Sequence, residues 1–270
     1  MALTLQLRVA TKIPIEVDGI VPDVLRDKSR AQIEKLPVFH GNRQLSLAEL
    51  FEVQGDAADE RLELLGDMSG VHRIGAKMQA GTIHVTGPAG RHLGSEMKGG
   101  EIAVDGDAGD WAGAEMHGGL LRIRGDAAHH LAAAYPGSER GMTGGIVLVH
   151  GSAGDQVGHT MRRGLVAVGQ NVGDFAGLNM IAGSLLVCGA CGARPAAAMR
   201  RGTLAALGAR PALLPTFRSG GRCQPLFLRV YLRALARWQF PTAAELADAT
   251  YEIFHGDLLT GGRGEILARA

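Results

Sequence analysis

The sequence predicts a mainly β protein: a right-handed parallel β-helix of about eight rungs of 19 residues, capped by an N-terminal α/β segment and C-terminal helices. Three observations carry that expectation. A seven-residue segment recurs every 19 residues with one longer interval, its residues alternate between apolar and polar, and a methionine outside the segment keeps the same spacing.

The segments are GTIHVTG (81–87), GEIAVDG (100–106), GLLRIRG (119–125), GIVLVHG (145–151), GLVAVGQ (164–170), GSLLVCG (183–189) and GTLAALG (202–208), with starts 19, 19, 26, 19, 19 and 19 residues apart. ERLELLG (60–66) is a degenerate eighth copy. Methionines at 78, 97, 116, 142, 161, 180 and 199 repeat the spacing, and two independent markers on one period identify a structural repeat. Pairs such as Ile83 and Val85, Ile102 and Val104, or Val166 and Val168 show the period of two of a short strand with one face inward. Nineteen residues cannot enclose a core alone; stacked copies bury columns of valine, isoleucine and methionine between them. Eight rungs at about 4.8 Å make a rod roughly 34 Å long. Gly87, Gly106, Gly125, Gly151 and Gly189 fit corners that need positive φ or close backbone approach.

The flanks obey other patterns, which divide the chain into an N-terminal capping segment (1–59), the parallel β-helix (60–208) and a C-terminal helical tail (209–270). Residues 3–9, LTLQLRV, read as an alternating strand, and SRAQ (29–32) and SLAE (46–49) match the helix capping box. After Leu207 the period stops. PLFLRVYLRALARW (225–238) places Leu226, Val230, Leu235 and Trp238 at helical spacing, and TAAE (242–245) opens a second helix ending near Gly256. These segments are expected to cover the edge strands of the rod, which otherwise invite pairing with other chains.

One interval is 26 residues instead of 19, and the extra residues fall in YPGSERGMTGG (135–145). Tyr135 reaches the methionine slot, yet Met142 resumes the register, so the added residues lie between the two. Proline and glycine make them a turn that bulges from the rod. Tyr135, Pro136, Ser138, Glu139 and Arg140 are therefore a candidate partner-docking loop, because polar residues held on a rigid scaffold suit docking. Arg229, Arg233 and Arg237, at i, i+4 and i+8, form a candidate basic stripe opposite the apolar face of the C-terminal helix.

Composition narrows the classes. With 28 Lys and Arg against 27 Asp and Glu, the chain has no bulk attraction for nucleic acid or an anionic membrane. The start, MALTLQLRVATK, lacks the basic and apolar regions of a signal peptide, and LNMIAGSLLVCGACGA (178–193) is too short to cross a bilayer, so a cytoplasmic protein is expected.

The chemistry-bearing residues read mostly as structure. Cys188 and Cys191 form C-x-x-C, but they occupy a strand position and a corner slot held elsewhere by Ala108, Ala153 and Val172, and a zinc site would need distant help from Cys223 or a histidine. Aspartates 67, 107, 126, 110, 155 and 174 recur at corners, where side-chain capping of N–H groups explains them. The ten histidines, His129 and His130 among them, do not converge in the repeat register as a metal cluster would. No phosphate-loop pattern occurs, and the outward strand positions (Thr82, His84, Glu101, Ala103, Arg122, Arg124, Leu148) hold no carboxylate pair on adjacent rungs for glycosidase chemistry. No catalytic, cofactor-binding or metal-binding residue is predicted.

The series GxxMxGGxIxVxGxxG, as in GSEMKGGEIAVDGDAG (94–109), resembles the β-helix domain at the C-terminus of the glutamate synthase large subunit. LPVFHGNRQLSLAELFEVQG, the long turn YPGSERGMTGG and the tail GDLLTGGRGEIL extend the resemblance to the C subunit of formylmethanofuran dehydrogenase and its bacterial counterpart in the formyltransferase/hydrolase complex. The resemblance implies a non-catalytic scaffold subunit with no cofactor of its own. Its implied partners are a metal-dependent amidohydrolase-like subunit, with zinc the expected metal, and a formyltransferase subunit. The bacterial complex moves a formyl group from formyl-tetrahydromethanopterin to a methanofuran-type carrier and releases formate; the archaeal one works with a molybdenum or tungsten pterin enzyme and iron–sulfur proteins. The bias of 23 arginines to 5 lysines favours the bacterial version, linked to methylotrophy. A stand-alone carbohydrate-active β-helix enzyme and a free glutamate synthase-like binding domain are the alternatives.

Overall fold

The computed structural model describes residues 2–8, 11–242 and 244–270. Strands Thr82–Val85, Glu101–Val104, Leu120–Ile123, Ile146–Val149, Leu165–Val168, Ser184–Val187 and Arg201–Ala206 pair in parallel, each in register with its copy in the next repeat. The result is a large, mostly parallel sheet. A second column of single-residue parallel bridges runs Met68, Ala89, Ala108, Ala127, Ala153, Val172, Cys191. The methionines at 78, 97, 116, 142, 161, 180 and 199 are fully buried with the inward strand residues, as their shared period requires.

Corner glycines divide into two kinds. Gly87, Gly106, Gly125, Gly151 and Gly189 meet the close-approach half of the expectation: a Cβ on Gly87 would lie 2.3 Å from the carbonyl oxygen of Gly66. Positive φ belongs instead to the glycines that open the strands, such as Gly100 at 84°. Corner aspartates act mostly between repeats, although Asp67 Oδ1 accepts from the Ser69 N–H of its own repeat at 2.8 Å. Asp107 Oδ1 accepts from the Asp126 N–H at 2.8 Å, Asp126 Oδ1 from Ser152 at 2.7 Å, and Asp174 Oδ1 from Ala193 at 2.7 Å.

At the N-terminal end, Leu3–Leu7 joins the sheet parallel to Arg61–Leu65 and antiparallel to Phe51–Gln54. Val9, the last residue of the predicted strand, lies outside the described residues. Both capping boxes form, with the Ser29 and Ser46 N–H groups donating to Gln32 and Glu49 at 2.8 Å, at the starts of short helices Arg30–Glu34 and Leu47–Leu50.

The C-terminal end departs from the expected helical cap. Arg263–Arg269 pairs in parallel with Arg201–Ala206 as one more strand of the stack, followed by antiparallel Tyr251–Gly256 and Arg218–Cys223. The helix expected from 242 to about 256 is only a 3-10 turn, Ala244–Ala247, and Ala243 lies outside the described residues. Tyr251, Ile253 and Phe254 favour a strand, and pairing satisfies an edge that a helix would leave open.

The helix Leu226–Arg237 does form, but it lies across the outer face of the sheet. Its buried residues are Leu228, Leu232 and Leu235; of the predicted stripe only Leu235 is buried, while Leu226 and Val230 are 71% and 65% exposed. The reason is visible in the strands. The outward position reads His84, Ala103 and Arg122 in the early repeats but Leu148, Ala167, Leu186 and Ala205 in the late ones, and the helix covers only the apolar stretch.

Candidate functional site

The insertion is rooted in the stack at both ends, with a turn between them closed by the Ser138 N–H donating to Tyr135 O at 2.9 Å. The Ala134 N–H still bonds to His159 O at 3.1 Å, and the Gly141 N–H to Thr160 O at 3.0 Å, so the seven extra residues are 135–141. Pro136, Gly137, Ser138, Glu139 and Arg140 are exposed, as the sequence led one to expect of the candidate loop.

Tyr135 does not enter the methionine slot, which Met142 fills. It folds back over the outside, where its ring stacks on Trp111 (centroids 5.1 Å apart, 27° between planes) and its hydroxyl shares a 2.9 Å hydrogen bond with His92 Nδ1. The Tyr135 N–H donates to Glu115 Oε1 at 3.0 Å. Trp111 stacks in turn on His130, with centroids 4.2 Å apart and planes at 15°. Two repeats separate His92 from His130, and Trp111 lies between them at the same place in its own repeat. All three have φ between 62° and 66°, which throws their side chains outward at one corner. The histidines therefore do converge in register, contrary to the expectation from sequence, but they build an aromatic ladder. The signal was present: three ring-bearing residues spaced 19 apart.

Burial holds both imidazoles below their ordinary pKa, aided by the positive charge of Arg73 near His92 and by His129 near His130. Burial likewise raises the Tyr135 phenol. At neutral pH this surface is an uncharged aromatic patch beside a polar loop.

A concavity of about 370 Å³ opens on the polar outer face of the early strands, next to Trp238 and Gln239. It contains two carboxylates on one strand segment, Glu101 and Asp105, a pairing that a comparison of adjacent rungs alone does not reveal. Each has a cationic partner, Glu101 in Arg122 and Asp105 in Arg124 at 3.3 Å, and Asp105 also shares a 2.9 Å hydrogen bond with His84 Nε2. Carboxylates held in ion pairs are poorly placed as a glycosidic acid and base.

The basic stripe is broken. Arg229 turns back onto the chain, donating to Ala247 O at 2.8 Å and pairing with Asp248 at 3.1 Å, whereas Arg233 and Arg237 are exposed. Burial pushes the Cys188 thiol up to about 11 and Cys191 to about 12, so both are protonated at neutral pH. Among the described residues no three His, Cys, Asp or Glu side chains are grouped to hold a metal ion, and no helix is long and apolar enough to cross a membrane.

Residues 69–211, the repeat stack itself, match the family model described as the GXGXG motif. The chain belongs to the GXGXG motif family and is a homologue of the formylmethanofuran dehydrogenase C subunit. It is 41% identical over 88 residues to the C subunit of the molybdenum-containing formylmethanofuran dehydrogenase 1 of Methanosarcina barkeri, covering 31% of this chain and 29% of that protein. It is 39% identical over 80 residues to the C subunit of the tungsten-containing formylmethanofuran dehydrogenase 2 of Methanothermobacter wolfeii, covering 28% and 30%. The alignments thus span under a third of these curated relatives. A chain in the X-ray structure of the formyltransferase/hydrolase complex (FhcABCD) from Methylorubrum extorquens, in complex with methylofuran, matches far more completely: 34% identity, TM-score 0.90 and 99% coverage of both chains.

Proposed function

We propose that this chain is a non-catalytic scaffold subunit of a formyltransferase/hydrolase complex that passes a formyl group from formyl-tetrahydromethanopterin to a methanofuran-type carrier and releases formate. The observation that carries this reading is the end-to-end match to a chain of such a complex. In this reading residues 60–208 form a right-handed parallel β-helix of eight rungs; right-handedness is the rule for parallel crossovers. Residues 1–59 and 209–270 are its caps. The chain holds no cofactor, and the metal, zinc in this reading, and the carrier belong to an amidohydrolase-like and a formyltransferase subunit in the cytoplasm. The exposed 136–140 loop beside its aromatic root is the docking element, with Arg233 and Arg237 as a lesser basic contact.

The curated relatives favour a second reading, the C subunit of a molybdenum or tungsten formylmethanofuran dehydrogenase. Purifying the tagged chain from its own cells separates the two. Co-elution with formyltransferase and amidohydrolase-like subunits, and formate release by that complex but not by the chain alone, is expected. Co-elution with pterin and iron–sulfur proteins would install the second reading. Turnover by the isolated chain, abolished by a point change within it, would overturn the scaffold role.

A further inference from the structure

Where the last repeats meet the C-terminal strands, a cleft of about 760 Å³ is lined by Arg162, Arg163, Arg200, Arg201 and Arg263, with Tyr231 of the outer helix at its side. Among the described residues, no aspartate or glutamate lines it. Elsewhere many arginines are paired with carboxylates, among them Arg26 with Glu60, Arg124 with Asp105, Arg210 with Glu252 and Arg269 with Glu245. Among the described residues these five have no such partner, although the protein's net charge is only +1.

The fold makes the imbalance acute. Arg201 and Arg263 are direct neighbours on parallel strands, so two like-charged side chains leave backbones about 5 Å apart on the same face, an arrangement that destabilises a sheet unless an anion intervenes. Arg162 and Arg200 hold the same place two repeats apart, about 10 Å along the stack, and the floor between them is Ile181, Ala182 and Gly183. The cations thus form rows along about 15 Å. Tyr231 accepts a hydrogen bond from Ser184 Oγ at 3.3 Å, leaving its own O–H to donate into the cleft.

We infer that this cleft binds an extended acidic polypeptide segment of a partner protein. Rows of guanidinium groups spread over about 15 Å match several separate carboxylates, since an extended chain of about five residues covers that length with alternate side chains on one face. A single phosphate would need the charges to converge. Nucleic acid would call for stacking platforms, and Tyr231 is the cleft's one aromatic ring among the described residues. Arginine forks bind carboxylates bidentately, which gives such a site direction as well as charge. The inference is independent of which complex the chain joins.

The test uses the full chain and a fluorescein-labelled Asp-Glu-Asp-Glu-Asp-Glu peptide, followed by anisotropy at about 0.15 M salt, with inorganic pyrophosphate as competitor. Saturable binding is expected, weakened at least about 10-fold in the triple variant Arg162→Gln, Arg200→Gln, Arg263→Gln and unchanged in Arg43→Gln, Arg61→Gln, exposed arginines near the N-terminal end of the stack. None of these arginines is buried, and unchanged thermal unfolding verifies that the variants are folded. Equal weakening by both variants, or no saturable binding, would overturn the inference. So would pyrophosphate displacing the peptide at concentrations at or below those of unlabelled peptide, which would make the cleft a phosphate site.

Discussion

The hydroxyl of Tyr135 lies 2.9 Å from Nδ1 of His92, a residue 43 positions earlier and two repeats away, while its ring covers Trp111 of the repeat between them. The first residue of the insertion thereby clips three repeats together at the point where the insertion leaves the stack. Tyr135→Phe should lose only the hydrogen bond, about 1 kcal/mol, and Tyr135→Ala the stacking as well, for a total of about 1–3 kcal/mol. Urea unfolding of the two variants measures both. Tryptic cleavage at the exposed Arg140 should quicken in the alanine variant; an unchanged rate would show that Tyr135 does not restrain the loop.

Removing residues 135–141 restores the 19-residue spacing, because Ala134 and Met142 then follow each other as Glu115 and Met116 do. That deletion, and the milder replacement of Ser138, Glu139 and Arg140 by alanine, should each leave a folded stack that assembles poorly with partner subunits. Size-exclusion chromatography of the co-expressed complex reads the outcome. Full assembly and activity would reduce the loop to decoration.

Val104 and Val168 are buried between repeats, whereas Glu101 points outward to Arg122. Val104→Asp or Val168→Asp buries an unpaired carboxylate, costing several kcal/mol, of the same order as the stability of a whole domain. Glu101→Ala removes a partly exposed ion pair worth about 0–1 kcal/mol. Circular dichroism melts should separate the two classes, and equal melting points would mean that the inward and outward assignment is wrong.

Cys188→Ala with Cys191→Ala should leave assembly and complex activity nearly unchanged. Cys191 continues a bridge column otherwise made mainly of alanine, and neither protonated thiol is poised to react. Loss of bound zinc in the double variant, measured by mass spectrometry of the metal, would restore a metal role.

The imidazoles of His92 and His130 are held below their ordinary value of 6.5 in the folded chain, so the unfolded chain binds protons first as pH falls. Their contribution is complete above about 6.5 and is lost as pH drops through the lower folded values. Melting temperature should therefore fall between about pH 7.5 and pH 5, and less so in His92→Gln with His130→Gln. A pH profile identical to that of the unsubstituted chain would remove these residues from the acid response.

The repeat, its strands, its methionine column and the place of the insertion were all legible in the sequence, because each is a local pattern copied at a fixed interval. Ile83, Met97 and Val104 announce their burial by position alone. The aromatic ladder was legible in principle, since His92, Trp111 and His130 share the period, but nothing local says that residues at that corner take positive φ and point outward. The destination of the helix could not be read from its own residues. Leu226 and Val230 are as apolar as Leu228 and Leu232, and only the apolar outer face of the strands from Leu148 to Ala205 decides which pair is buried.

What the sequence by itself determined is the period, and with it the parallel stacking, since every repeat must find a copy of itself to complete its core. What only the tertiary structure decided lies at the ends and on the surface: that Arg263 comes to rest beside Arg201, that Tyr135 reaches His92, and that strands, not helices, close the C-terminal end. The physical reason is the same in each case. These contacts join segments with no common period, so they depend on which edge and which face the completed stack leaves open, and that is settled only when the stack has formed.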